Sequence, residues 1–322
     1  MLFRPTVAAD RDGFLPLLVT DPASTLTADA YLARLATGEY HPGRTWIAEP
    51  APGAPPLAVA VWWSGPADAG PAALDAVLVH PSVRPPAERT ALAAELLTAA
   101  HAAYGHAPAY HLFLPGDWHD RPDAVAATAW RQEAARLAGL PASRERLRYE
   151  RAPGAGLPAP SRRLRFRAEP DDEVFVDLFR RTLTGTRDAT SRTAAAHLGA
   201  EAQARADVAL YRDGMLGERG WWRTAHTPDG ETVGFAVPSR NSAAPVVGYL
   251  GVLPEHRGRG YVDDLLAETT RVLAAETGAL PVRADTDLAN VPMAAAFERL
   301  GYRTTARRLV LSAEAPAEAP TG

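Results

Sequence analysis

A run of closely spaced glycines and arginines follows an apolar segment near residue 250. From residue 249 the sequence reads Tyr-Leu-Gly-Val-Leu-Pro-Glu-His-Arg-Gly-Arg-Gly-Tyr-Val, which predicts a buried strand, a tight turn and the start of a helix. Such a turn leaves several backbone N–H groups unpaired at the positive end of the helix dipole. Arg257 and Arg259 add charge-assisted donors, and Gly258 and Gly260 let a ligand approach the main chain. The segment therefore predicts an anion site suited to phosphate.

Two other phosphate-binding motifs do not fit this spacing. A Walker loop requires Gly-x-x-x-x-Gly-Lys, and the chain contains no Lys. A dinucleotide-binding loop requires a third glycine where Asp263 stands. A plain glycine-rich turn remains the alternative for the segment taken by itself.

A second motif lies one helix and one strand further along the chain. Residues 290–302 read Asn-Val-Pro-Met-Ala-Ala-Ala-Phe-Glu-Arg-Leu-Gly-Tyr. Together the two segments, within residues 163–312, resemble the GNAT superfamily of acyl-CoA-dependent N-acyltransferases. The first family pattern, Gln/Arg-x-x-Gly-x-Gly/Ala, matches at Arg257 and Gly260 and departs from the family at Val262.

The second family pattern, Asn-x-x-Ala-x-x-x-Tyr-x-x-x-Gly-Phe, is matched in part. Asn290, Gly301 and Tyr302 fit it, whereas Met293 and Phe297 stand where the family has Ala and Tyr. Two linked motifs in the expected order are more specific than either motif alone.

The resemblance implies a mixed, twisted sheet that is splayed between a strand at 246–253 and a strand at 281–285. Pantetheine would lie in this gap and pair with main-chain groups of Leu250 and Val252. The pyrophosphate would contact the N–H groups of Arg257, Gly258, Arg259, Gly260, Tyr261 and Val262, and the second motif would add Asn290 and Phe297. The expected cosubstrate is acetyl-CoA or another acyl-CoA, with no metal.

The general acid cannot be the family's usual tyrosine, because Phe297 has no proton to donate. Tyr249 and Tyr261 flank the expected acyl position and are the candidate replacements, with core packing as the alternative role. The chain has no Cys, so acyl transfer through a cysteinyl intermediate is excluded and direct transfer is expected.

Asp285 and Asp287 come at the end of the strand that forms the other wall of the gap. They are expected to accept the amine's proton or to bind a cationic acceptor, with capping of the turn and helix that follow as the alternative role. Glu255 and His256, just before the anion loop, are expected at the solvated surface.

Two aromatic residues and a group of histidines carry weaker signals. Trp221 and Trp222 are expected on opposite faces of a strand, one in the core and the other as a possible wall of an acceptor pocket. Residues 101, 106, 111 and 119 are histidines whose spacing matches no familiar zinc pattern.

The sequence predicts two α/β domains with tandem GNAT-like folds. A Pro- and Gly-rich linker at 153–162 separates residues 1–152 from residues 163–312, and a disordered tail is expected at 313–322. Residues 79–87 align without a gap over residues 252–260, which favours a duplicated domain. In the first copy Pro85 and Pro86 replace glycines, and Pro has no N–H to donate. We expect that copy to bind coenzyme A weakly or not at all and to complete the acceptor site or stabilise its neighbour.

Within residues 163–312 the pattern predicts alternating strands and helices. They are strands at 164–168, 221–226, 232–238, 246–253, 281–285 and 304–311, and helices at 173–183, 201–212, 262–276 and 292–300.

Charge and composition limit the classes of partner that the protein is expected to bind. The net charge of −4 argues against nucleic acid as a partner. The sequence contains no long apolar run that would predict a membrane segment and no pattern of a leader peptide. We therefore expect a cytoplasmic protein that is a monomer or a homodimer. The doubled layout resembles that of mycothiol synthase and of tandem acetyltransferases from antibiotic biosynthetic clusters. The sequence thus predicts an N-acyltransferase for a small-molecule amine, with a non-catalytic acyl-CoA sensor or a protein N-acetyltransferase as alternatives.

Overall fold

The computed structural model describes residues 1–65, 69–278 and 280–313. Its strands are β1 (Leu2–Pro5), β2 (Thr45–Glu49), β3 (Ala58–Trp63), β4 (Ala73–Val79), β5 (Tyr110–Leu114), β6 (Ala142–Arg151), β7 (Arg165–Ala168), β8 (Arg223–His226), β9 (Thr232–Arg240), β10 (Pro245–Val252), β11 (Val282–Asp287) and β12 (Arg303–Ser312). Its α-helices are α1 (Arg11–Phe14), α2 (Ala28–Ala36), α3 (Pro86–Tyr104), α4 (Pro122–Leu137), α5 (Asp172–Thr182), α6 (Ala189–Leu198), α7 (Ala200–Asp213), α8 (Tyr261–Thr277) and α9 (Val291–Arg299). The predicted α/β class is confirmed. The tail expected to be disordered lies, from residue 314, outside the described residues.

The chain divides into two compact units, and each takes one strand from the other half of the sequence. The first unit comprises Met1–Glu145 together with β12 from Ala306, and the second runs from Arg146 to Thr305. Strand β6 pairs antiparallel with β11 from Arg146 onward, and β12 pairs antiparallel with β5. The units therefore divide within β6, whereas the sequence pattern placed the boundary at the Pro- and Gly-rich segment that follows this strand.

The first unit is built on a sheet with the strand order β1-β2-β3-β4-β5-β12. Alternation along β2 gives this sheet two apolar faces. Trp46 and Ala48 join the core beneath α3 and α4, whereas Ile47 joins Phe14 and Tyr31 on the opposite face.

The second unit has the strand order β6-β11-β10-β9-β8-β7, with β10 and β11 parallel to each other. Leu273 of α8 and Phe297 of α9 belong to the core on one face. Phe179 of α5 and Val208 of α7 belong to the core on the other. Because β10 lies in the middle of this sheet, the turn that follows it is held by packing on both faces.

Helix α6 was not predicted from the sequence. It begins where the Asp188 carboxylate accepts a hydrogen bond from the Ser191 N–H at 2.8 Å, an ordinary N-cap. Its residues are mostly small, and few of them are buried. The amphipathic spacing on which helix prediction depends is therefore absent.

No helix in residues 1–65, 69–278 and 280–313 has the length and apolar character needed to cross a membrane. Within the same residues, no group of three or more His, Cys, Asp or Glu side chains is arranged to hold a metal ion.

Candidate functional site

The turn between β10 and α8 presents consecutive amides that have no acceptor. Gly258 and Gly260 adopt φ values of 76° and 72°, which side chains rarely tolerate, and α8 then runs for 17 residues. Among the described residues, the backbone N–H groups from Gly258 to Val262 donate to no hydrogen-bond acceptor. The positive end of the α8 dipole lies behind them, so the turn has the electrostatics of an anion site.

Arg163 binds the carbonyl groups of this turn. Its guanidinium donates to the carbonyl oxygens of Arg259 at 2.8 Å and Gly260 at 3.1 Å, and it also forms an ion pair with Asp264. The guanidinium thereby fixes the two carbonyl groups, and the adjoining N–H groups remain available to bind a ligand. No local sequence pattern indicates this role of Arg163, because its contact with the turn joins residues almost one hundred positions apart.

The negative charge in the first turn of α8 is offset by arginines. Asp263 accepts two hydrogen bonds from Arg299, at 2.7 and 2.9 Å, and Asp264 pairs with Arg163. Without these pairs, two carboxylates would oppose an anion bound at the same helix end.

Strands β10 and β11 separate at the level of the turn. Their only register pair among the described residues is Val246 with Arg283, and a β-bulge interrupts β10 between Val247 and Tyr249. The predicted splay is therefore present.

The edge of β10 that faces the gap carries the main-chain groups of Leu250 and Val252, which were predicted from the sequence to pair with pantetheine. The Leu253 N–H donates to the Val233 carbonyl at 2.9 Å. Since donors alternate along an antiparallel pair, the groups of Gly251 face β9 and those of Leu250 and Val252 face the gap.

The gap and the turn form one open cleft of ≈ 410 Å³. It is lined by Thr182, Gly185, Thr186, Arg187, Tyr249, Leu250, Gly251, Val252, His256, Arg257, Gly258, Gly260, Tyr261, Val262, Asn290, Pro292 and Met293. Most of the residues predicted for coenzyme binding are thus brought together. Arg259, Phe297, Asp285 and Asp287, also predicted for the site, are not among the residues that line it.

A family comparison now bears on this geometry. Residues 195–302 match the family model described as acetyltransferase (GNAT) family. The second unit contains a GNAT acetyltransferase domain. The match includes both segments from which the resemblance was predicted.

Two solved structures share the fold over nearly the whole chain. A GCN5-related N-acetyltransferase from Sphaerobacter thermophilus has a TM-score of 0.59 and 18% identity, and the match covers 96% of this chain and 94% of that one. A tandem GNAT protein from the clavulanic acid biosynthesis pathway has a TM-score of 0.51 and 20% identity, with coverage of 98% and 99%. These likenesses confirm the tandem GNAT fold. A search of curated proteins found no match to the chain.

Arg257 of the GNAT domain is engaged by carbonyl oxygens. Its Nε donates to Val252 at 3.1 Å, and its terminal nitrogens donate to Thr182 at 2.9 Å and Thr184 at 2.5 Å. Burial lowers the pKa of this guanidinium. Arg257 therefore fastens the loop after α5 to the end of β10, in addition to any contact with phosphate.

Tyr249, on β10, is one of the residues that line the cleft. Its ring packs against Phe179 and Phe235, with centroid distances of 4.7 and 5.5 Å. Burial, reinforced by the charge of Asp188, raises the pKa of Tyr249 to about 12. Its hydroxyl therefore keeps its proton at neutral pH.

Tyr261 lies against the anion turn. The guanidinium of Arg163 lies 4.9 Å from its ring centroid, a cation–π contact that fixes the ring. Both tyrosines line the cleft, but only Tyr249 lies on the splayed strand.

Phe297 is a core residue. Its ring is 2% exposed and packs between Tyr149 and Tyr302, with centroids 4.9 and 5.2 Å away. The side chain therefore points into the core, away from the cleft that Asn290 lines.

Asp285 and Asp287 lie on β11 opposite Arg148 and Arg146 of β6. Asp287 accepts a hydrogen bond from the Ala189 N–H at 2.8 Å and lies 3.5 Å from Arg146. Asp287 therefore accepts a hydrogen bond from the first residue of α6, a helix far from it in sequence. This is a structural role similar to helix capping.

The two residues before the turn differ from each other. Glu255 is exposed and pairs with Arg181, as expected. His256 is 7% exposed and lines the cleft, so the expectation that it is solvated is wrong. Its place in the short 3-10 helix after β10 turns the ring inward, which an isolated sequence triplet does not indicate.

Trp221 and Trp222 are both buried, and they belong to the cores on opposite faces of the sheet. They lie on opposite faces as expected, but not through strand alternation, because Trp221 ends a 3-10 helix and β8 begins only at Arg223. Neither residue lines the cleft, so the proposed acceptor-pocket role of one of them finds no support.

Asp207 of α7 is a polar residue that the sequence analysis missed. Burial raises its pKa to about 6, and the nearby Asp188 contributes. One carboxylate oxygen accepts from Gln203 at 2.9 Å, whereas the other is buried without a hydrogen-bond partner among the described residues. One turn later, Tyr211 donates to the carbonyl of Gly248, in the β10 bulge, at 2.8 Å.

Proposed function

We propose that the second unit binds an acyl-CoA, with acetyl-CoA as the expected donor, and transfers the acyl group to the amine of a small molecule. The observation that carries this proposal is the set of amides from Gly258 to Val262, which have no acceptor among the described residues and lie at the start of a long helix. A diphosphate would supply acceptors for these donors and would be favoured by the helix dipole.

The remainder of the coenzyme would follow the open edge of β10. Amide groups of pantetheine would pair with Leu250 and with the Val252 N–H, since the Val252 carbonyl already accepts from Arg257. The thioester would then lie near Tyr249, at the bulge where β10 and β11 part.

Transfer would be direct. The amine nitrogen attacks the thioester carbonyl, a new C–N bond forms, and the C–S bond breaks as the thiolate leaves. Main-chain N–H groups at the edge of β10 would stabilise the oxyanion. We assign Tyr249 as the acid that protonates the thiolate, because it lines the cleft and its hydroxyl is protonated at neutral pH.

The attacking amine must first be neutral. Asp207 is the best candidate to take its proton, because a pKa of about 6 is close to neutrality and the group acts electrostatically on Tyr249. Asp207 does not line the cleft, so a water molecule would relay the proton. Asp285 and Asp287, which are tied into the β6–β11 pair, are less suited to this role.

Thiol release from acetyl-CoA by the full-length protein tests the proposal, with a panel of amino sugars, amino acids and aminoglycosides as acceptors. We expect turnover with at least one small amine, and loss of turnover in Tyr249→Phe. Coenzyme binding without turnover on any amine would favour an acyl-CoA sensor. Turnover only on peptide amino groups would favour a protein N-acetyltransferase.

A further inference from the structure

The first unit contains a gap between two parallel strands that follows the same plan as the gap in the second unit. Strands β4 and β5 are parallel, and their only register pair among the described residues is Leu74 with Tyr110. The His80 N–H donates to the Leu57 carbonyl at 2.8 Å, so the main-chain groups of Val77 and Val79 face the gap. Val77 thus occupies the position in β4 that Leu250 occupies in β10.

The groups of Val77 already have partners within the chain. Its N–H donates to the Tyr110 hydroxyl oxygen at 3.3 Å, and its carbonyl accepts from the Arg131 Nε at 3.2 Å. In the second unit, no register pair among the described residues joins Leu250 to β11, so its main-chain groups face the open gap. Tyr110 and Arg131 therefore make the two hydrogen bonds that an amide of pantetheine would make.

Arg131 is held in this gap from several directions. Its terminal nitrogens donate to the Ala127 carbonyl at 2.9 Å and to the Asp21 carboxylate at 2.5 Å. The side chain is 1% exposed, and its guanidinium lies 4.4 Å from the ring centroid of Trp130. Expelling it would break the ion pair between the buried guanidinium of Arg131 and the partly exposed Asp21.

A small cavity lies near this gap. A cavity of ≈ 60 Å³ persists beside Asp75, whose carboxylate already accepts from Arg34 and Tyr40 at 2.7 and 2.6 Å. The cleft of the second unit measures ≈ 410 Å³, and ligand pockets usually span roughly 300–1,000 Å³. The cavity beside Asp75 is therefore too small for a pantetheine arm, and Val77, Tyr110 and Arg131 do not line it.

We infer that the first unit is a cleft closed by its own side chains, with Tyr110 and Arg131 in the place of the pantetheine amide. The chain then binds one coenzyme, in the second unit. This inference rests on the proposed coenzyme site. The proline-containing loop was one reason to expect the first copy not to bind coenzyme A, and the closed gap is a second, independent reason.

Calorimetry and amide hydrogen exchange on the full-length protein with saturating coenzyme A test the inference. We expect one coenzyme per chain, slower exchange in peptides covering residues 249–262, and no change in peptides covering residues 74–87. Two coenzymes per chain, or slower exchange in residues 74–87, would overturn it. Absence of binding to either unit would instead refute the proposed function, while leaving the first cleft closed as inferred.

A pair of variants on α4 separates a closing side chain from a ligand. In Arg131→Leu we expect a lower unfolding temperature and a coenzyme affinity within about twofold of wild type. Arg136→Leu, whose exposed side chain pairs with Glu133, is the matched control and should change neither property. A tenfold or greater loss of coenzyme affinity in a folded Arg131→Leu protein would identify Arg131 as a ligand and overturn the inference.

Discussion

The ring of Tyr149 in β6 stacks on the ring of Phe297 in α9, with centroids 4.9 Å apart and planes inclined by 28°. A residue from before the linker thus completes the core beneath the second GNAT motif. The usual position of the family's acid is occupied by an apolar ring that faces away from the cleft.

Restoring a tyrosine at this position is expected to damage the protein instead of improving it. Phe297→Tyr would place a hydroxyl in a core of three aromatic rings, which costs about 1–3 kcal/mol of unfolding free energy. Urea unfolding measures this loss, and thiol release should show no gain in kcat. A tenfold rise in kcat would show that position 297 reaches the thiol after all. Tyr149→Phe, which removes a weak hydrogen bond to Glu298 at 3.3 Å, is the control and should cost less than about 1 kcal/mol.

Tyr249→Phe tests the assignment of the acid. We expect kcat to fall by roughly 10²–10⁴-fold, the range typical of general acids, with little change in the KM for acetyl-CoA, because the proposed coenzyme contacts are main-chain groups of other residues. Steady-state kinetics separates the two parameters. Tyr261→Phe retains the ring over which Arg163 lies and should leave kcat nearly unchanged. If instead the two variants lost equal activity, Tyr249 would not be the specific donor.

Arg257→Gln tests whether this residue positions the loop after α5. The variant removes charged donors to the carbonyls of Thr182 and Thr184, so we expect faster hydrogen exchange across residues 182–187. The KM of the amine should rise on the order of tenfold, corresponding to one lost charged hydrogen bond. Arg257→Lys, which restores the charge but not the planar fork, should recover only part of the effect.

Arg259→Gln is the control for that experiment. Its side chain makes no hydrogen bond or ion pair with the described residues, and it should not alter exchange in residues 182–187. Unchanged loop exchange in Arg257→Gln would contradict the positioning role.

Asp207→Asn tests the raised pKa of the buried carboxyl. Because the folded pKa of about 6 lies above the usual value of 3.8 for an aspartate, the folded protein binds more protons than the unfolded chain between these values. The contribution to stability is present below pH 4 and is lost as pH rises through 6. Asp207→Asn should therefore be more stable than wild type at pH 8, by on the order of 1–2 kcal/mol after allowance for partial solvent screening.

The same difference should shrink toward zero at pH 4.5, where wild-type Asp207 is largely protonated in the folded state. Denaturant unfolding at both pH values measures it. Asp229→Asn, at an exposed turn, should show no such pH dependence. A destabilised Asp207→Asn at pH 8 would show that the carboxylate is favoured by its surroundings and is not a strained base.

The order of elements and the anion turn were predictable because their signals are local. The glycines at 258 and 260 mark the turn, and apolar spacing marks α8. The assignment of β6 to the second unit and of β12 to the first was not predictable. In β6, Arg146 pairs with Asp287, which lies beyond the linker, and no local sequence pattern indicates this pairing. A long-range contact also gave Arg257 its carbonyl partners at Thr182 and Thr184, which its place in the motif did not indicate.

The central claim is that amides from Gly258 to Val262 bind the coenzyme's diphosphate, and a calorimetric comparison tests it most directly. Coenzyme A and pantetheine, which lacks the diphosphate, would be titrated into wild type and into Gly260→Val, with circular dichroism to show that the variant is folded. We predict that wild type binds coenzyme A at least about 100-fold more tightly than pantetheine, equivalent to roughly 2.7 kcal/mol. Gly260→Val should lose this preference, because its residue cannot hold φ near 72°. Equal affinity of wild type for the two ligands, or unchanged coenzyme affinity in folded Gly260→Val, would contradict the claim.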